Sequence, residues 1–139
     1  MGVITMNKIR VKSYTQVIEV NDEGETIVLK VADQSIPYKL NKLIKNIEEK
    51  GKELSNLPDD TSNEEIIEKE YDFQLWVRAS IDDVFGKDTC RKVFGDLVPP
   101  FESYLDFLEQ IKPFFEDYAK ERITNLSKYA TPSVGSSIQ

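Results

Sequence analysis

At 139 residues the chain has room for one core of useful size and not comfortably for two. Its 18 basic and 25 acidic residues leave a net charge of −7, which argues against a general phosphate-binding surface, because nucleic-acid affinity depends on Lys and Arg displacing counterions. Histidine is absent, which removes the commonest proton carrier near neutral pH, and the single Cys90 has neither a second thiol for a disulfide nor an imidazole with which to share a zinc ion.

An apolar fraction of 40% and a charged fraction of 31% suit a soluble globular domain. Met1 to Met6 is too short an apolar start for a secretory signal, and nowhere do enough apolar residues run together to span a bilayer. The expectation is a cytosolic domain over residues 1–130 with no membrane, nucleic-acid or cofactor partner, followed by a flexible tail at 131–139, rich in Ser and carrying Pro132 and Gly135.

Residues 8–32 read as extended. Ile9 and Val11 alternate with Lys8, Arg10 and Lys12, and Ile27, Leu29 and Val31 alternate with Val28 and Lys30. Asn21-Asp22-Glu23-Gly24-Glu25 lies between two β-rich runs and supplies residues that tolerate a tight reversal, so a hairpin of two or three strands is predicted. The period then changes. Over residues 38–54, Leu40, Leu43, Ile44, Ile47 and Leu54 fall at helical spacing, with Pro37 at the start and Gly51 as an end or weak point. A loop follows at residues 55–63. Asn63 is a candidate cap for the next helix, with Glu64 and Glu65 at its positive end.

That helix carries Ile66, Ile67, Tyr71, Phe73, Leu75, Trp76, Val77, Ile81, Val84 and Phe85, an apolar stripe too wide for one face. The most informative stretch begins at Ile81. Val-Phe-Gly occurs twice, at Val84-Phe85-Gly86 and Val93-Phe94-Gly95, each time with a Gly where a helix has to stop. Asp88 can cap the short segment between these stops. After Pro99-Pro100, a last helix from about Phe101 to Tyr129 places Phe101, Tyr104, Leu105, Leu108, Ile111, Phe115, Tyr118, Arg122 and Leu126 on one stripe. Pro113 inside it predicts a kink or break near Glu109 to Lys112. The fold expected is α+β and mostly α, with an N-terminal hairpin region at 8–32 and a helical body of about four to five helices at 38–129.

This layout resembles the small tail-assembly chaperones of long-tailed, siphovirus-type phages and prophages of Gram-positive bacteria. Three features carry the resemblance: the β-hairpin start, the Asp-Val-Phe-Gly step at Asp83–Gly86, and the Lys-Val-Phe-Gly step at Lys92–Gly95 leading into Tyr104-Leu105-Asp106-Phe107-Leu108. It extends over most of residues 14–126. It implies a non-enzymatic role in the host bacterial cytoplasm: binding the tape measure protein, recruiting tail tube subunits, and absence from the mature virion. It also implies, as for many such proteins, a longer form made by a frameshift.

A helix-binding chaperone needs exposed apolar surface, and Phe73, Trp76, Tyr104, Phe107 and Phe114 are the candidate partner-binding residues. Phe85, Gly86, Phe94 and Gly95 are read as structural. An unpaired strand edge also predicts a homo-oligomer. Three other classes stand beside this one. The acid pairs Asp59-Asp60, Glu64-Glu65 and Asp82-Asp83 would be needed by an enzyme, but they sit beside caps and loops, so no catalytic residue is assigned. An acidic nucleic-acid mimic lacks an unbroken acidic rail, since Lys42, Lys45, Lys50 and Lys52 interrupt it. A head–tail joining protein is the remaining alternative.

Overall fold

Two strands and four helices make up the computed structural model, which describes residues 2 and 4–129. The predicted flexible tail at 131–139 lies outside the described residues. β1 (Gln16–Glu19) and β2 (Thr26–Leu29) pair antiparallel, with Val17 opposite Val28 and Ile18 opposite Ile27. Asn21 builds the reversal between them. Its Oδ1 accepts the N–H groups of Glu23 and Glu25 at 3.0 and 3.1 Å, and Gly24 takes a φ of +82° that side chains resist. Alternation then sorts the faces: Ile18, Ile27 and Leu29 turn to the core, while Val17 and Val28 stay in solvent.

The alternating run at Lys8–Lys12 does not form a third strand. Residues 4–15 have no regular secondary structure, and Ile4, Met6, Ile9 and Val11 are each 89% exposed or more. A period-two pattern yields a strand only when a partner supplies hydrogen bonds and a covered face. The single chain offers this segment neither.

α1 (Ser35–Ser55) starts earlier than its apolar pattern does. Asp33 organises that start: its Oδ1 accepts from the Ser35 N–H at 2.9 Å and the Ser35 hydroxyl at 2.6 Å. The Ser35 hydroxyl, then the Ser35 N–H, hold the Asp33 carboxyl below its ordinary pKa. Pro37 falls within the first turn, where a helix has no use for the missing N–H. Ile36, Leu40, Leu43, Ile44 and Ile47 form the buried face. The helix runs through Gly51 instead of ending there, because the Phe101 ring lies against it; a Cβ at this position would sit 3.2 Å from that ring.

α2 (Asn63–Phe85) is capped by Ser62, not Asn63: the Ser62 hydroxyl accepts from the Glu65 N–H at 3.2 Å. Gly86 ends it at φ 123°, ψ 150°, a conformation essentially confined to glycine. α3 (Thr89–Phe94) follows, closed by Gly95 at φ 67°. α4 (Phe101–Tyr129) is continuous through Pro113, so the expected break is absent. Ile111 and Phe115, both buried, flank the proline. Their burial, at about 1.5–3 kcal/mol each, offsets the roughly 3 kcal/mol that an interior proline costs. Ile47 on α1, Val77 and Ile81 on α2, and Tyr104 and Leu108 on α4 are all fully enclosed at the centre. Past Tyr118, α4 leaves this body, and Ile123, Leu126 and Tyr129 are exposed.

The segment from Gly86 to Pro100 is pinned by side chains reaching its backbone. Asp82 Oδ1 accepts the Cys90 N–H at 2.8 Å, replacing the expected cap Asp88, which adopts φ 69° and makes no side-chain cap bond. The Arg78 guanidinium donates to the Leu97 and Gly95 carbonyls at 2.8 and 2.9 Å. From the hairpin, Asn21 Nδ2 donates to the Lys92 carbonyl at 3.0 Å. Lys92 Nζ returns to the Thr26 carbonyl at 3.0 Å, and Arg91 meets Glu25 at 3.1 Å. Replacing Asp82 by Ala strips the acceptor from a buried N–H and should lower stability by about 1–3 kcal/mol. Asp82→Asn, which keeps an acceptor oxygen, should cost distinctly less; urea unfolding followed by circular dichroism compares the two.

Candidate interaction surfaces

The two Val-Phe-Gly phenylalanines converge on one residue of α4. Phe85 and Phe94 both meet the Phe107 ring edge-on, at 6.3 and 6.1 Å, and Phe94 also closes edge-on over Tyr104 at 5.0 Å. Edge-to-face packing at these distances is favourable for aromatic quadrupoles. Phe85 and Phe94 are half-buried against the core. Of the five candidate partner-binding residues, Tyr104 is fully enclosed and Phe73 and Phe107 are nearly so. Tyr104 is thus a core residue, and Trp76 and Phe114 are the two that present substantial surface.

Two separate hollows divide the remaining candidates. The first, about 590 Å³, lies between α1 and α2, where Phe73 and Trp76 stack at 5.9 Å beside Leu54 and Leu57. Its rim carries Glu49, Glu53 and Asp72 together with Lys50 and Lys69. Both lysines are engaged by acids, Lys50 with Glu53 at 3.6 Å and Lys69 with Glu65 at 3.8 Å. The second, about 370 Å³, lies between β1 and the α3–α4 corner and is floored by Phe94, Phe107 and Phe114.

The width of the α2 stripe has a simple geometric source that the residue count alone did not reveal. Phe73, Val77 and Ile81 form one i, i+4 ladder and are buried; Ile67, Tyr71 and Leu75 form another and are exposed by 66%, 49% and 40%. Leu75 and Val77 are two residues apart, hence about 200° around the helix. α2 is therefore apolar on two nearly opposite faces, one spent on the core and one left in water. Splitting the stripe by its four-residue spacing would have found this second face. Five acids, Glu64, Glu65, Glu68, Glu70 and Asp72, surround it.

Cys90 lies sealed beneath α3, with its Sγ 3.6 Å from the Arg78 carbonyl. Burial, and after it the Asp82 carboxylate, push the thiol up to about 12, overriding the lowering by the Arg78 guanidinium. Burial likewise raises the Tyr104 hydroxyl, with Arg78 opposing it, and that hydroxyl oxygen makes no hydrogen bond among the described residues. No group of three or more His, Cys, Asp and Glu side chains suited to a metal ion occurs among the described residues. Among the described residues no helix is long and apolar enough to cross a membrane.

A family of unknown function, DUF6673, matches residues 23–135, and the chain belongs to that family. The match takes in β2 and all four helices. No curated protein and no solved structure matches the chain.

Cys90 should resist a thiol-specific reagent at pH 8 in the folded protein and react fully once urea unfolds it. Its raised pKa also sets a sign. The unfolded thiol ionises near its ordinary 9.0 while the folded one stays protonated to about 12, so stability falls as pH rises through that window. Cys90→Ala should flatten the fall. Tyr104→Phe removes an oxygen without a hydrogen-bond partner and should leave the melting temperature unchanged or raised.

Proposed function

We propose that this chain is a tail-assembly chaperone of a long-tailed phage or prophage, acting without catalysis in the host bacterial cytoplasm. In this reading it binds the tape measure protein before the tail tube closes, recruits tail tube subunits to it, and does not remain in the mature virion. A longer frameshifted form belongs to the same reading.

The observation that supports it best is the second apolar face of α2. A tape measure protein is a long helix with its own apolar stripe, and such a stripe needs a partner that repeats every three or four residues. Ile67, Tyr71 and Leu75 provide that repeat on a helix whose opposite face is already held by the core. The α1–α2 hollow, with Trp76 on its wall, adjoins the same helix and widens the surface. The surrounding acids keep so much exposed apolar area soluble until the client arrives.

The test is co-expression with a phage tape measure protein, scored by how much of that client stays soluble and co-purifies. Ile67→Ser/Tyr71→Ser/Leu75→Ser should retain the fold, since exposed substitutions cost within about 0.5 kcal/mol each. It should also lose the client. Equal retention by the triple variant and the parent would overturn the reading. So would finding the chain by mass spectrometry in purified particles, which is what a head–tail joining protein predicts.

A further inference from the structure

We propose that the segment around Lys8–Lys12 of one copy adds as a strand to the open edge of β1 in a second copy, seated in the acidic groove between β1 and α4. This inference is independent of the client assignment above and concerns a different face of the molecule.

The donor is defined by sequence and exposure together. Residues 1–12 contain Lys8, Arg10 and Lys12 and no acid, so the arm carries +3 and the remaining residues −10 of the chain's −7. The arm leaves the body at Tyr14, whose ring packs on Tyr118 at 5.4 Å, with Lys12 Nζ 4.9 Å above the Tyr14 ring centroid. Before that point Ile4, Met6, Ile9 and Val11 are almost wholly in solvent. Strict alternation of apolar and basic residues is the pattern of a strand with one covered face, yet its own chain does not cover it.

The acceptor is defined by hydrogen bonding. Val20 N–H donates to the Glu25 carbonyl at 2.9 Å, which fixes Ile18 and Gln16 as hydrogen-bonded pairs with β2. The backbone N–H and C=O of Val17 and Glu19 therefore point to the outer edge, and no hydrogen bond among the described residues uses them. The edge of β2 differs: the Thr26 carbonyl is taken by Lys92. The hollows of about 370 and 440 Å³ beside β1 share Phe114. Together they present Glu19, Asp106, Asp117 and Glu121, and neither is lined by any Lys or Arg.

Charge and pattern then match. In an added strand, Ile9 and Val11 extend the inner face beside Ile18 and cover Phe94, Phe107 and Phe114. Lys8 and Arg10 fall on the other face, beside Glu19, while the negative field of Asp106, Asp117 and Glu121 draws the basic arm into the groove. The same copy's arm is poorly placed to do this. Only Ser13-Tyr14-Thr15 separates it from β1, Tyr14 is anchored on α4, and the link has no Gly or Asn for the positive φ of a tight reversal.

The experiment uses the full chain and three variants, with mass read by light scattering and amide exchange by mass spectrometry. The parent chain should associate, and deleting residues 2–11 should reduce it to the mass of one chain with unchanged circular dichroism. Lys8→Glu/Arg10→Glu should weaken association by about tenfold or more, equivalent to about 1.4 kcal/mol. Asp106→Lys/Asp117→Lys/Glu121→Lys should do the same, and mixing these two charge-reversed proteins should restore it. The Val17 and Glu19 amides should exchange slowly in the parent and rapidly in the deletion variant. A parent that stays monomeric at high concentration, association that survives the deletion, or edge amides that exchange alike in both would overturn the proposal.

Discussion

Asp82 accepting the Cys90 N–H is the bond on which the remaining architecture turns. Residues 86–100 contain two glycine stops, a six-residue helix and a Pro-Pro pair, none of which holds itself in place: a helix this short is far below the length that is stable alone. Its order comes from neighbours. Asp82 and Arg78, one turn apart on α2, grip it from one side, and Asn21 in the hairpin turn grips it from another. All four bonds join a side chain to a backbone group, and those of Asp82 and Asn21 are partly buried, where a lost partner costs more than a surface ion pair is worth.

The consequence for function is rigidity of display. With the corner fixed, Phe85 and Phe94 come to Phe107 from two directions, and α4 is set against α1 and α2. In the proposed reading, the exposed ladder on α2 and the open edge of β1 lie on a frame that does not need to rearrange before a partner arrives. Preorganisation of this kind raises affinity by cutting the ordering cost of binding. An apolar surface in water is otherwise a liability, and the acids around Ile67, Tyr71 and Leu75 answer it locally.

Much of this was readable from the residues. The hairpin turn at Asn21–Glu25, both glycine stops and the bounds of α4 follow from local chemistry, and local chemistry is what a sequence displays. Most of the failures were decided by residues elsewhere in the chain, whereas the Ser62 cap in place of Asn63 was a choice between neighbours. Asp88 has the right type and place for a cap, but Asp82 from the previous helix reaches the Cys90 N–H first. Gly51 resembles a helix end, and only the Phe101 ring explains why it is not. The Lys8–Lys12 alternation has a strand's pattern but, with no partner in its own chain, forms no strand. Among the aromatic candidates, spacing could not separate enclosed Tyr104 from surface Trp76, because both occupy helical positions consistent with a broad apolar stripe.

Native-state hydrogen exchange tests the corner most directly. If side-chain pins make residues 86–100 part of the cooperative body, the amides of Cys90, Lys92 and Gly95 should open with the same free energy as those of Val77 and Leu108, and follow the same denaturant dependence. If those three amides exchange through a separate low-energy opening while the core remains protected, α3 is a loose linker and the account of a fixed frame is contradicted.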